Sequence, residues 1–281
     1  MRTAAKFAPR PGRIAVHLAL IAYTLVALGP LILILLNAFK TRRAIFADPL
    51  SFPDARTFTT IGFNAVFAKS DFGLYFANSL VVTLVSLALI VVIGAMAAWA
   101  LSEYRFFGNT LIGLYMAIGI MVPIRLGSVS ILRMMVDLHL VNTLTALVLV
   151  YVAQGLPLAI LILGEFIQQI PKDLRDAARC DGVSEYRIFG SIILPLITPA
   201  IATVAVFTMV PIWNDLWFPL ILAPGDEKRT VTLGVQQFIG QYVTDWNAVL
   251  ASLTLAIAPI LVLYLLFSRY LVRGLTAGAV K

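Results

Sequence analysis

The side chains capable of polar chemistry concentrate in one stretch of an otherwise apolar chain. Residues 171–195 read PKDLRDAARCDGVSEYRIFGSIILP and carry Lys172, Asp173, Arg175, Asp176, Arg179, Asp181, Glu185 and Arg187 between two long apolar runs. Charge at this density is too costly to lie in hydrocarbon, so the stretch belongs in water. The rest of the chain offers no GxxxxGK[ST] phosphate loop, no HExxH, no CxxC pair and only two His residues. The expectation is no catalytic residue, no metal and no cofactor, with any ATP chemistry left to a partner.

The spacing within this stretch is more specific than its charge. Asp176-Ala177-Ala178 is followed by three residues, Gly182, nine residues and then Ile192-Ile193-Leu194-Pro195. This resembles the EAA loop of binding-protein-dependent ABC importer permeases, whose pattern is EAA, three residues, Gly, nine residues, I-x-L-P. Asp176 stands where Glu is usual, one methylene shorter. The resemblance implies that the loop is a cytoplasmic coupling helix docking in a groove of an ATP-binding subunit, with Asp176, Ala177, Ala178, Gly182, Leu194 and Pro195 as the coupling residues.

Local chemistry agrees with a short helix here. Pro171 suits a first helical position, no Pro or Gly interrupts Lys172 to Asp181, and Gly182 is a natural stop. Leu174, Ala177, Ala178 and Asp181 fall at i, i+3, i+4 and i+7, which puts the two alanines on one narrow face open to close approach. Taken without the motif, a solvated loop with Ala for helix propensity fits equally well.

The elements that hold this loop must be membrane helices. The chain has 281 residues, 60% hydrophobic and 12% charged, and a mean hydropathy of +0.95. Soluble domains carry about 25% charged residues. A span needs roughly 20 apolar residues, and six nearly exhaust the length. The expected fold is all-α and polytopic, one transmembrane domain over 1–281. Its helices are expected near 14–36, 78–101, 110–133, 143–166, 196–222 and 246–270, with an interruption of the fourth at Gly155-Leu156-Pro157. A short helix is expected around Ile61 to Ala68 in the first external loop. The net charge of +7 comes from helix ends and loops without a basic stripe or interleaved aromatics, so nucleic acid is not an expected partner. Basic residues favour the inside only weakly; the motif sets the orientation, with both termini cytoplasmic. Cys180, the one cysteine, excludes an internal disulfide.

Two polar groups inside the apolar segments invite a solute. Arg125, just after Pro123, either snorkels to the interface or lines the translocation path and favours an acidic sugar. Trp213, Asn214, Asp215 and Trp217 either bind a sugar by stacking and hydroxyl hydrogen bonds or form an interfacial aromatic belt. Asn78, Ser79, Thr83 and Ser86 are read as helix-packing groups.

The first external loop, with AFKTRRAIF and PLSFP, and the tail RYLVRGLTAGAVK resemble the carbohydrate branch of the permease family. The likeness implies a bacterial inner-membrane permease for a sugar, with a homologous second permease in a heterodimer, two ATP-binding subunits, an extracytoplasmic solute-binding protein and membrane lipid as partners. The alternative is a secondary transporter driven by an ion gradient. It lacks the intramembrane carboxylates and His such coupling needs, apart from Asp215 and Glu165.

Overall fold

A computed structural model describes residues 11–240 and 244–277, the side chains of Pro11, Arg13 and 263–277 excepted. The basic residues Arg2, Lys6 and Arg10 and the end of the tail, 278–281, lie outside the described residues. Thirteen helical elements are named below: α1 (Pro11–Ala38), α2 (Arg42–Ala47), α3 (Ile61–Lys69), α4 (Phe72–Glu103), α5 (Asn109–Met121), α6 (Ser128–Asp137), α7 (Leu144–Gln168), α8 (Lys172–Cys180), α9 (Glu185–Leu196), α10 (Thr198–Asn214), α11 (Trp217–Leu222), α12 (Val231–Gln236) and α13 (Trp246–Ala277). Among the described residues the only β-structure consists of two isolated bridges. The chain divides into two compact units, Met1–Ser70 with Phe238–Leu255 and Asp71–Gln237 with Ala256–Lys281.

The first unit is organised by a buried cation. Lys40 is fully buried, and its Nζ donates to the Asp48 carbonyl at 3.0 Å, the Pro49 carbonyl at 3.3 Å and Ser51 Oγ at 3.3 Å. Its own carbonyl accepts from Asn247 Nδ2 at 2.7 Å. Lys69 and Asp245 close the same unit through a 2.9 Å ion pair. The short helix expected in this loop is α3.

In the second unit, α4 packs chiefly along α7. The two approach closely because small residues face each other: a Cβ on Gly94 would lie 3.0 Å from Ala159 Cβ, and one on Gly155 would meet the Ile90 side chain at 2.5 Å. Ile90, Ala95, Ala98, Leu163 and Ile167 fill the seam, all fully buried apart from traces. Asn78 Nδ2 donates to the Glu227 and Arg229 carbonyls at 2.9 Å each, and Ser79 Oγ accepts from Val231 N at 2.8 Å. These polar groups thus fasten the loop before α12 to the start of α4.

Three helices, Ile14–Ala38, Phe72–Glu103 and Leu144–Gln168, are long and apolar enough to cross a membrane, and a shorter apolar one covers Trp246–Val262. The remaining two expected spans are not single helices. The one expected over 110–133 stops at Met121 and turns by 88° into Ile124–Asp137. Val122 takes an extended conformation, φ −82° and ψ 117°, as the residue before a proline prefers. The one expected over 196–222 is the end of a pair, Glu185–Leu196 and Thr198–Asn214, bent by 73°. The bend falls at Ile197, ahead of Pro199, and a further break at Asp215 precedes α11. The interruption expected at Gly155-Leu156-Pro157 is absent. α7 runs through it with Pro157 inside the helix, a defect that membrane helices absorb through neighbours.

The α4–α7 seam has no room for bulk at Gly94. Gly94→Leu is expected to destabilise the chain by about 1–3 kcal/mol, the usual overpacking cost, lowering the unfolding temperature in detergent. Gly73→Ala, where a Cβ meets nothing within 4 Å, does not lower it.

Candidate functional site

The charged stretch folds into α8, a turn and α9. α8 ends in a Schellman motif: Gly182 N donates to the Arg179 carbonyl and Val183 N to the Ala178 carbonyl, each at 3.0 Å. Gly182 sits at φ +73°, with open space where its Cβ would be. The glycine is therefore required by backbone conformation and not by crowding.

The two alanines expected on one open face part company. Ala177 is exposed together with Leu174, Asp173, Asp176, Cys180 and Asp181, whereas Ala178 is buried and belongs to the chain's own core. The reason is the 100° step between adjacent helical residues, which turns Ala178 towards the membrane helices along with Arg175. The face available to another protein is narrower than the spacing implies and centres on Leu174 and Ala177. Leu194 and Pro195 lie apart from it. With Val91, Val92, Ala95, Phe189, Gly190, Thr198 and Ile201 they line an apolar groove of 490 Å³. Phe189–Ile193, which supplies two of these residues, forms one π-helical turn within α9, a one-residue insertion that often marks functional helices.

A compact ionic cluster joins α8 to α4 and α9. Glu103, the last residue of α4, accepts from Arg175 Nη1 through one oxygen and from Arg179 Nη2, at 2.5 Å, through the other. Arg175 is buried, and its guanidinium lies 5.7 Å from the Trp99 ring centre. Arg179 also donates through Nε to Glu185 Oε1 at 2.7 Å and through Nη1 to Asp176 Oδ1 at 3.0 Å. Tyr104 OH donates to Glu185 Oε2 at 2.9 Å. The bond from Arg179 holds the Glu185 carboxyl below its ordinary range against the opposing effect of burial, and Tyr104 helps. Burial, then the neighbouring Glu185, pushes the Tyr104 hydroxyl up. The hydrogen bonds to Glu185 and Glu103 raise the Arg179 guanidinium further. Glu103, Trp99 and Tyr104 are absent from the motif, which stops at the loop. The available signal is that Glu103 is the one acid in α4, placed at its end, while Arg175 and Arg179 stand four residues apart on one helix face.

The residues read as a solute path fall in a second cluster. Asp215 is buried, and its carboxylate accepts from Tyr151 OH at 2.9 Å, Arg125 Nη2 at 3.3 Å, Trp217 N at 3.2 Å and Phe218 N at 3.1 Å. It thereby caps α11 and ties the break to α7. Ser128 Oγ donates to the Arg125 carbonyl at 2.5 Å and accepts from the Trp217 indole at 2.8 Å. Trp213 is turned inward, its indole N–H on the Ala256 carbonyl at 3.0 Å and its ring edge-on to Phe76. Asn214 and the Arg125 side chain, 67% exposed, remain at the surface. Of the four residues, Trp213 and Asp215 thus have structural partners, and Arg125 and Asn214 keep exposed groups.

Comparison with known proteins agrees with this architecture. Residues 90–277 match the family described as binding-protein-dependent transport system inner membrane component. A putative ABC transporter permease protein of Caldicellulosiruptor sp. is 34% identical over 263 residues, 93% of this chain and 94% of that protein. A diacetylchitobiose uptake system permease protein of Streptomyces coelicolor is 30% identical over 94% of this chain and 88% of its own. A crystal structure of a bacterial ABC transporter involved in the import of the acidic polysaccharide alginate superposes with a TM-score of 0.79 at 20% identity, over 96% of this chain and 100% of that one.

Two outcomes follow from the α8 geometry. Gly182→Val forces a β-branched residue into the left-handed region at a cost of about 1–2 kcal/mol; Gly182→Asn, which tolerates that region, costs less. Thermal unfolding of the purified chain ranks them in that order below wild type. The Glu185 carboxyl is lowered in the fold, so its contribution is complete above the ordinary carboxylate value of about 4.3. It is lost as the pH falls below that value through the lowered one. Hydrogen exchange in residues 172–188 should be constant from pH 8 to 5, after correction for intrinsic rates, and accelerate below about pH 4.

Proposed function

The chain belongs to the binding-protein-dependent transport system inner membrane components, the membrane permeases of ABC importers whose ATPase is a separate subunit, and on that premise we propose that it moves a sugar or sugar oligomer. The observation that carries this reading is the α8 segment with its motif spacing and its open Leu174–Ala177 face. Family membership favours ATP-driven import over an ion-coupled secondary transporter. The sugar assignment is supported by the diacetylchitobiose relative and by the first-loop and tail resemblances.

In mechanism, two ATP-binding subunits close on ATP and carry α8 with them. The Schellman stop at Gly182 keeps α8 short and rigid, and the permease pair, a heterodimer with a homologous chain, switches from inward-facing to outward-facing. A loaded extracytoplasmic binding protein then delivers the solute. ATP acts by stabilising one of two states, so the coupling is a difference in binding free energy transmitted through this contact. Asp176 retains a carboxylate towards the ATPase, shared with Arg179. α8 and both chain termini face the bacterial cytoplasm in this reading.

Arg125 and Asn214 are the side chains proposed to meet the solute. Arg125 is paired with Asp215, which makes the site neutral overall while leaving guanidinium donors open. This supports a hydroxyl-rich solute over an anionic one, with Trp213 and Asp215 shaping the broken helix behind it.

The test is purification of the chain from gently solubilised membranes with whatever it holds. Wild type is expected to retain an ATP-binding subunit. Ala177→Trp, on the open face, should release at least nine-tenths of that subunit while the chain stays in the membrane. Recovery of the chain alone, with solute uptake following an ion gradient, overturns the reading.

A further inference from the structure

The motif explains how α8 meets an ATPase but not how movement of α8 reaches the membrane. We infer that Glu103 is the positioning residue that receives it: a two-arginine latch through which displacement of α8 pulls on the cytoplasmic end of α4. The inference rests on the permease reading above and adds a residue that lies outside the loop motif.

The geometry singles out this carboxylate. Glu103 ends α4, a helix of 32 residues, and its two oxygens are divided between Arg175 and Arg179, one turn apart on α8. The Arg175 and Glu103 side chains are 4% and 11% exposed, so water screens the pair little. The approach to the Trp99 ring, one turn back along α4, gives α8 a second hold on the same helix. Arg179 extends the grip to α9 through Glu185, and Glu185 returns it to Tyr104, the residue after Glu103. The contacts form a closed circuit over α8, α9 and the end of α4. A displaced α8 therefore either carries α4 along or breaks a buried ion pair. α4 in turn packs along α7, whose Tyr151 holds Asp215 at the break before α11. This is a contiguous physical path from the loop to the interrupted helices.

The experiment uses the complete purified importer and needs no solute. Hydrogen exchange is followed with and without a non-hydrolysable ATP analogue and magnesium, at residues 172–188 and at residues 95–104. In wild type both segments respond to nucleotide. In Glu103→Gln the 172–188 response is retained and the 95–104 response is lost. Glu103→Asp, which keeps the carboxylate in a smaller side chain, restores it at least in part, which a filling role for Glu103 does not predict. If Glu103→Gln does not assemble, Arg175→Gln with Arg179→Gln opens the same latch from the other side. Arg187→Gln, at an exposed position on α9, leaves both responses intact. An undiminished 95–104 response in Glu103→Gln or in the double arginine variant overturns the inference. Absence of any nucleotide response at 172–188 in the wild-type complex instead overturns the reading of α8 as the ATPase contact, on which it rests.

Discussion

A single carboxylate shared between two guanidinium groups fixes how the charged loop stands against the membrane helices. Without a partner at the end of α4, Arg175 would be an unpaired buried charge, a state that costs a fold several kcal/mol. Its pairing with Glu103 therefore specifies one orientation of α8 about its own axis. That orientation decides which residues are open: Leu174 and Ala177 face outward because Arg175 and Ala178 face in. The open face and the ion-paired face are two sides of the same nine-residue helix.

The apolar part of the chain works under a different constraint. α4 and α7 make a tight seam through small residues, while the bends at Val122 and Ile197 fall just ahead of Pro123 and Pro199, where a free backbone group must find a donor or acceptor. Asp215 meets that demand at the break before α11 by accepting from two backbone N–H groups, a phenol and a guanidinium. A carboxylate there is a capping device for interrupted backbone as much as a polar lining. The same logic accounts for Asn78 and Ser79, which bind backbone of the loop before α12 instead of a neighbouring membrane helix.

Long apolar runs made α1, α4 and α7 legible, because hydropathy is a property of composition and survives ignorance of packing. The extent and stop of α8 were legible for a local reason: one proline, one glycine and no interruption between them. What periodicity could not supply was facing. Ala177 and Ala178 look equivalent by spacing, and only the tertiary pull on Arg175 separates them. The breaks at Val122 and Ile197 were written as prolines, but a proline marks a defect without saying whether the helix bends, as at Pro123, or runs on, as at Pro157. Trp213 illustrates the same limit. An indole beside Asn and Asp reads equally as a binding group or an interfacial anchor, and spacing says nothing of the Phe76 ring and Ala256 carbonyl that lie against it.

The buried Lys40 bears on how the first loop tolerates change. Two of its three acceptors are main-chain carbonyls, at Asp48 and Pro49, so the ammonium senses where the chain runs and not which side chains it carries. Residues 48 and 49 can thereby change side chain while the path of the loop is kept, and Ser51 alone of the three partners is held through its own side chain.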